Sequence, residues 1–560
     1  MISIKKTFLL ILFLILGSIC NAQEFSLQII GNSKKETTII DSLNYQSKHV
    51  NLNSIQQEVD IALKKISTLG YIDVKLLFSN KVNDSTFLSK ITLGKQIKKI
   101  RITIKDLETL ELLRLKKNTL EIPYPAIESF LEQTLHLLEE KGYSFAKVKL
   151  NSINREQYQL SAELEVQKNS IRKINTIVIK QSEKNKFPKG HLTQINRKYK
   201  NTLFNLKSLE QIRRDFEKFT FVNQLKYPEL LATKDTTRVY VYLERKNSNT
   251  FDGFIGFNNN ETRFTLNGYL DIQLENILAK GEQIHVFWKS DGNDQKTFNA
   301  SFELPYLFNS PIGMQTELQI FRQDTTFQNT KTTVGLHYIL KNNSKIKLGY
   351  RTTQSSVIQN NNMSIEGFNS TFITLGYENN NVILVKNKFR TSLSNITTIG
   401  SGKRLITIDT NTPGKQFQID LKNKLLFKIN NKHSLYIDNQ NHYLLSDEYV
   451  ENELYRFGGF NSIRGFRENS IAAYLLTTFL TEYHYALTPK LYVHSILDLA
   501  YFETSLNNFP KKNNLTGLGF GIGVQTNNGL LRIAVANGTV NAQNIKTENT
   551  ILHLSYSIKF

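Results

Sequence analysis

From about residue 250 onward the sequence alternates apolar and polar residues with a period of two, in stretches of about ten residues. In 264–274, Phe264, Leu266, Leu270, Ile272 and Leu274 hold even positions, and Thr265, Asn267, Asp271 and Gln273 hold odd ones. In 297–304, Phe298, Ala300, Phe302 and Leu304 alternate with Thr297, Asn299, Ser301 and Glu303. In 550–560, Leu552, Leu554, Tyr556, Ile558 and Phe560 alternate with His553, Ser555, Ser557 and Lys559. Successive side chains of a strand point to opposite faces, so each stretch has one apolar and one polar face. A soluble β-sandwich buries such a face too, but its strands are usually shorter. A transmembrane barrel demands this pattern, with lipid outside, water inside and no unpaired edge. Roughly 310 residues at about 20 per strand and turn accommodate about 16 strands. The 24 Tyr and 35 Phe of the chain fit aromatic girdles at the membrane interfaces. Residues 248–560 are therefore expected to form an all-β transmembrane barrel of about 16 antiparallel strands.

The 560 residues exceed one ordinary domain. The N-terminus reads as an export leader over 1–22: Lys5 and Lys6 are basic, Thr7 to Ile19 is apolar, and Cys20-Asn21-Ala22 places small residues before a cleavage point. A lipoprotein reading of Cys20 is weakened by Ile19 before it, and the apolar stretch is short for a membrane helix. Cys20 is the chain's one cysteine, so the exported chain would carry none and need no disulfide. The formal charge of +21 is spread along the chain. With an export leader it points to solvated loops or anionic head groups, and nucleic acid is not an expected partner.

Between leader and barrel, a helix-then-strand unit repeats. Leu52, Ile55, Val59, Leu63 and Ile66 recur at helical spacing, Gly70-Tyr71 stops the helix, and a strand continues over Ile72 to Phe78. Ile127, Phe130, Leu131, Leu135 and Leu138 repeat the stripe, Gly142-Tyr143 stops it, and a strand follows over Ala146 to Leu150. Further strands are expected over Phe87–Leu93, Lys99–Lys105, Leu160–Val166 and Ile171–Ile179. A third, divergent unit has its helix at Leu206, Leu209, Ile212, Phe216 and Phe219, its last strand at Arg238–Leu243, and no Gly-Tyr stop. The order β-α-α-β-β resembles POTRA domains, with units over 23–96, 97–169 and 170–247.

Gly458-Gly459-Phe460-Asn461-Ser462-Ile463-Arg464-Gly465-Phe466 resembles the Gly-Gly…Ser-(Val/Ile)-Arg-Gly-(Tyr/Phe) signature of the BamA/TamA superfamily of outer-membrane assembly barrels. Companion segments fall in the same order as in that family: Phe302 to Phe308 resembles its early strand-end motif, Glu482 and Ile496 to Ala500 its late strands, and Gly521 to Val524 with Gly529 to Arg532 its penultimate hairpin. The terminal Phe560 resembles the C-terminal barrel signal of bacterial outer-membrane proteins. The resemblance implies that the signature lies in an extracellular loop folded into the lumen, anchored through Gly458, Gly459, Ile463, Arg464, Gly465 and Phe466, with Glu482 and Asp498 as acidic partners of Arg464. Parity agrees: Glu482 and His484 oppose Phe479 and Tyr483, while His494 and Asp498 oppose Leu497 and Leu499. The family usually has Gly two residues after that Asp; here it is Ala500.

No metal-ligand spacing, phosphate loop or nucleophile elbow occurs, and His484 and His494 read as lumenal polar residues rather than a metal pair. No cofactor and no enzymatic activity are expected. The resemblance implies insertion of β-barrels or translocation of an exported partner across the outer membrane. Its clients would be unfolded outer-membrane proteins or a secreted protein, its surroundings outer-membrane lipids, and a periplasmic or inner-membrane protein would meet the arm. A two-partner secretion pore for one substrate, and a plain porin or receptor, are the alternatives. Three arm units are closer to the TamA layout than to the five of BamA or the two of secretion pores.

Overall fold

The computed structural model describes residues 24–559 except 157–158, 183–185, 235, 261–262, 292–294, 342, 360–363, 386–388, 408–412, 507–508, 527–528, 542, 544–547 and 549. The leader and Phe560 lie outside the described residues. Two small sheets with their helices belong to one compact unit; a third small sheet and the barrel belong to a second.

In the first unit, the sheet order Lys48–His49, Phe25–Ile30, Thr86–Thr92, Lys75–Lys81 places the parallel pair in the middle. The helix Leu52–Thr68 starts where the Asn51 side chain accepts the Ser54 backbone N–H at 2.8 Å, and its stripe Ile55, Val59, Ala62 and Ile66 is buried on that sheet. The helix ends at Gly70, whose φ of +100° is the left-handed conformation that closes such a turn. The second sheet repeats the plan over Thr119–Pro123, Lys99–Ile104, Gln159–Gln167 and Lys147–Glu156. Its helix Ile127–Glu140 runs into Gly142 in the same conformation.

The third sheet is built on Thr237–Arg245, which pairs in parallel with Thr176–Lys180 and antiparallel with Val222–Gln224 and Glu229–Ala232. The expected strand over Ile171–Ile179 starts only at Thr176, because the preceding backbone bonds to turns: Ile174 N–H donates to the Thr202 carbonyl at 2.9 Å. Helices Lys189–Tyr199 and Leu206–Glu217 cover this sheet, and Ile212, Phe216, Val239 and Val241 are fully buried in it.

The barrel closes with sixteen antiparallel strands. They are β1 (Thr250–Asn260), β2 (Arg263–Glu275), β3 (Gln283–Asp291), β4 (Gln295–Leu304), β5 (Ile312–Gln323), β6 (Phe327–Lys341), β7 (Ser344–Val357), β8 (Phe368–Val385), β9 (Phe389–Ile406), β10 (Gly414–Lys428), β11 (His433–Ser446), β12 (Leu475–Thr488), β13 (Leu491–Leu506), β14 (Phe509–Gln525), β15 (Gly529–Val540) and β16 (Thr550–Lys559). Leu336, Leu348, Ile373, Leu499, Phe520 and Leu552 are exposed on the outer face. A closed barrel with an apolar outer face satisfies its backbone internally and crosses a membrane. Among the described residues no helix is long and apolar enough to do so.

The ladders are unequal. Among the described residues, neighbouring strands share between eight and eighteen residue pairs, as in β3/β4 and β8/β9. β1 and β16 share three: Thr250↔Lys559, Phe251↔Ile558 and Asp252↔Ser557. The rest of β1, to Asn260, pairs with β2 alone.

Candidate functional site

The connection over residues 447–474, between β11 and β12, turns into the lumen. Within it, Tyr455–Phe457 pairs with Ile471–Ala473 in a two-stranded ladder. Phe457 and Ile463 pack on Leu476, Ala500, Phe502 and Leu515 of the wall, with Phe466 against the same cluster. Gly458 and Gly459, with φ of +114° and +96°, open the tip, which the Gly459 N–H to Ile463 carbonyl bond at 3.1 Å folds over. At Gly465 (φ +87°) the loop backbone lies directly on the backbone of Asn537 and Gly538 in β15, and the Arg464 carbonyl lies on Gly517 of β14. A side chain at either Gly465 or Gly517 would displace main chain rather than a flexible neighbour.

This descent delivers Arg464 between two acids. Its backbone N–H and Nε donate to Asp498 Oδ2 at 3.0 and 2.7 Å, and Nη2 donates to Oδ1 at 2.6 Å. Nη1 donates to Glu482 Oε1. Asp498 is fully buried and Arg464 is 2 % exposed. Glu482 rises from β12 and Asp498 from β13, both on the lumenal face, while Phe479, Tyr483, Leu497 and Leu499 face outward. A two-pronged charge-assisted contact of this kind is strong in geometry, and deleting one member strands a buried charge. Ala500 is buried in the loop's apolar footing.

A second anchor was not visible in the sequence. Asn452 is 1 % exposed; its Nδ2 donates to Ser355 Oγ and the Glu366 carbonyl, both at 2.7 Å, and its Oδ1 accepts the Glu366 N–H at 3.2 Å. Glu453 takes Arg404 as a buried ion pair and accepts from Gln416 Nε2 at 2.5 Å. Tyr455 stacks on His442 at 3.7 Å. These partners lie on β7, β9, β10 and β11 or in the connection before β8, beyond the reach of any strand or helix period, so no local pattern flags them. Beside this anchor is a lumenal cavity of about 710 Å³, lined among others by Glu303, Glu317, Lys331, Arg351, Asp420 and Lys422.

The segment Phe302 to Phe308 ends β4 and supplies a docking surface for the third small domain. Tyr306 meets His191 edge-on at 4.8 Å, His191 meets Phe219 at 4.7 Å, and Gln194 Nε2 donates to the Asn309 carbonyl at 2.7 Å. Burial pushes the His191 imidazole down to about 3, so it is neutral at physiological pH.

Neither a protein-family model nor a curated protein matches the chain. Solved structures do. CdiB from Escherichia coli aligns over 90 % of this chain and 97 % of its own at 13 % identity, with a TM-score of 0.52. CdiB from Acinetobacter baumannii aligns over 83 % and 90 % at 15 % identity and 0.51. BamA from Haemophilus ducreyi lacking POTRA domains 1–3 aligns over 83 % and 100 % at 15 % identity and 0.50. The chain has the fold of BamA and CdiB, a closed sixteen-stranded β-barrel preceded by small POTRA-like α/β domains.

Proposed function

We propose that this protein inserts or translocates client proteins at the outer membrane, with the β1/β16 seam as the working edge. The three-pair closure carries this reading. At about 1 kcal/mol net per hydrogen bond, it costs only a few kcal/mol to part. Parting it leaves an unpaired strand edge, which templates an incoming strand by backbone hydrogen bonding. The lumenal loop, held by Arg464 on Glu482 and Asp498 and by the Asn452 region, keeps the lumen filled while the seam works. The edges of the arm sheets offer an extended, unfolded client the same kind of pairing before it reaches the barrel. The roles of Gly458, Gly459, Ile463, Gly465 and Phe466 in this reading are to let the loop lie flat on the wall.

A cysteine pair at Asp252 and Ser557, which face each other in the seam, tests it. Oxidation should stop client insertion or export, and reduction should restore it. A matching pair at Thr332 and Thr352, within the β6/β7 ladder, should have no effect. Full activity with the seam oxidised sinks the proposal. Depleting the protein and measuring the outer-membrane proteome then separates general insertion, with many proteins lost, from dedicated secretion, with one.

A further inference from the structure

The β12/β13 register sets His484 directly opposite His494, and Glu482 lies two residues from His484 on the same lumenal face. His484 Nε2 is 2.6 Å from Glu482 Oε2, and His494 Nδ1 is 3.8 Å from the same oxygen. The three candidate ligand atoms all lie within 4.8 Å of one another. His494 is 5 % exposed, and its buried Nδ1, aimed at this point, has no hydrogen-bond partner among the described residues. The bare Cα of Gly521 makes the room its ring occupies.

Charge points the same way. Arg464 is one cation shared by two carboxylates, so Arg464, Asp498 and Glu482 together carry one net negative charge. Of the guanidinium's three bonds, Asp498 takes two and Glu482 one. The excess therefore sits on Glu482, whose second oxygen turns from the guanidinium toward the two imidazoles. Two imidazole nitrogens and one carboxylate oxygen thus converge on one lumenal point.

We propose that Glu482, His484 and His494 form a binding site for a divalent first-row transition metal of the zinc class. Two imidazoles and one carboxylate suit zinc, copper or nickel, whereas magnesium and calcium want oxygen ligands alone. Bond lengths of about 2.0–2.2 Å place tetrahedral ligand atoms about 3.3 Å apart, within side-chain rotation of the present spacing, with a fourth position left for water. The ion would tie β12 to β13 and, through Glu482, stiffen the seat of Arg464. The site stands apart from the insertion reading, because it can be measured without a client.

The full chain, folded in detergent and stripped with a chelator, is titrated with zinc chloride by calorimetry and with cobalt(II) followed by visible absorption. One equivalent should bind, and cobalt should show a tetrahedral spectrum. His484→Gln and His494→Gln should each weaken binding more than about 100-fold, since loss of an outer-shell partner alone costs about 10–100-fold. Both variants retain Glu482 and the Arg464 contact; the electrophoretic shift of the folded barrel confirms folding. Absence of saturable zinc binding in the folded wild type, or equal affinity in the double variant H484Q/H494Q, overturns the proposal. So does a cluster that takes up a proton and no zinc.

Discussion

Strands β11 to β14 and strands β1 and β16 are held in different ways within one wall. On the loop side, β11/β12, β12/β13 and β13/β14 share eleven, thirteen and sixteen residue pairs, and the lumenal loop packs against them from within. At the seam three pairs close the barrel. The outward parity carries large apolar side chains in both places: Leu552, Leu554 and Tyr556 of β16 and Phe479 and Tyr483 of β12 are exposed. Alternation therefore decides that a strand faces lipid on one side, and ladder length with inner packing decides how firmly it is held. The loop is seated on full ladders, and the three-pair closure lies elsewhere in the ring.

The largest expected effect removes the seat. Arg464→Ala leaves Asp498 buried without its cation, and should cost about 3–5 kcal/mol of barrel stability in urea titration, with the loop becoming open to protease. A change below about 1 kcal/mol would erase the contrast between the two sides. Next, hydrogen exchange should separate them without mutation. Alternate amides of residues 253–260, which point across the seam, should exchange at least about 100-fold faster than ladder amides of 476–484. Similar protection would mean that the closure is as firm as the rest. Gly465→Ala should act locally and more weakly. A side chain at a positive φ costs about 1–2 kcal/mol, and the clash with Gly538 adds to it, so loop-side protection should fall while seam exchange stays unchanged.

The smallest effect lies outside both regions and serves as a reference. Burial works to raise the Asp215 carboxyl in the third small domain, but bonds from Lys198 at 2.5 Å, Lys218 at 2.9 Å and Tyr199 at 2.7 Å prevail and hold it below the ordinary range. A depressed folded value gives stability that is present above about pH 4 and is lost as pH falls through the folded value. Thermal unfolding of the arm helices, followed by circular dichroism, should show Asp215→Asn less stable than wild type at neutral pH. The gap should narrow in acid. A gap that widens in acid would reverse the assignment.

Much of this was readable in the sequence, and the rest was hidden for physical reasons. Period-two parity placed Glu482 and Asp498 on one face, where the structure puts them, and Gly70 and Gly142 marked helix ends because only a left-handed residue closes those turns. The sequence also signals the loop itself: Leu476 and Leu480 take the lumenal parity of β12, and Ile496 that of β13, which a water-filled lumen would not favour. Apolar residues on both faces announce that something covers the inner one. The Arg404–Glu453 pair and the Asn452 bonds could not be read, because their partners meet through loop placement and not through periodicity. Nor could the facing of His484 and His494, which depends on the register of two strands and not on either strand alone.

That register has a consequence for how the barrel is built. A slip of one residue in β12 or β13 would turn Glu482 or Asp498 from the lumen to the lipid, at about 2.5–3.5 kcal/mol for a charge at mid-membrane, and would leave Arg464 without its seat. Only the correct alignment of both hairpins completes the contact. The arginine contact thus distinguishes the finished wall from its nearest misregistered neighbours.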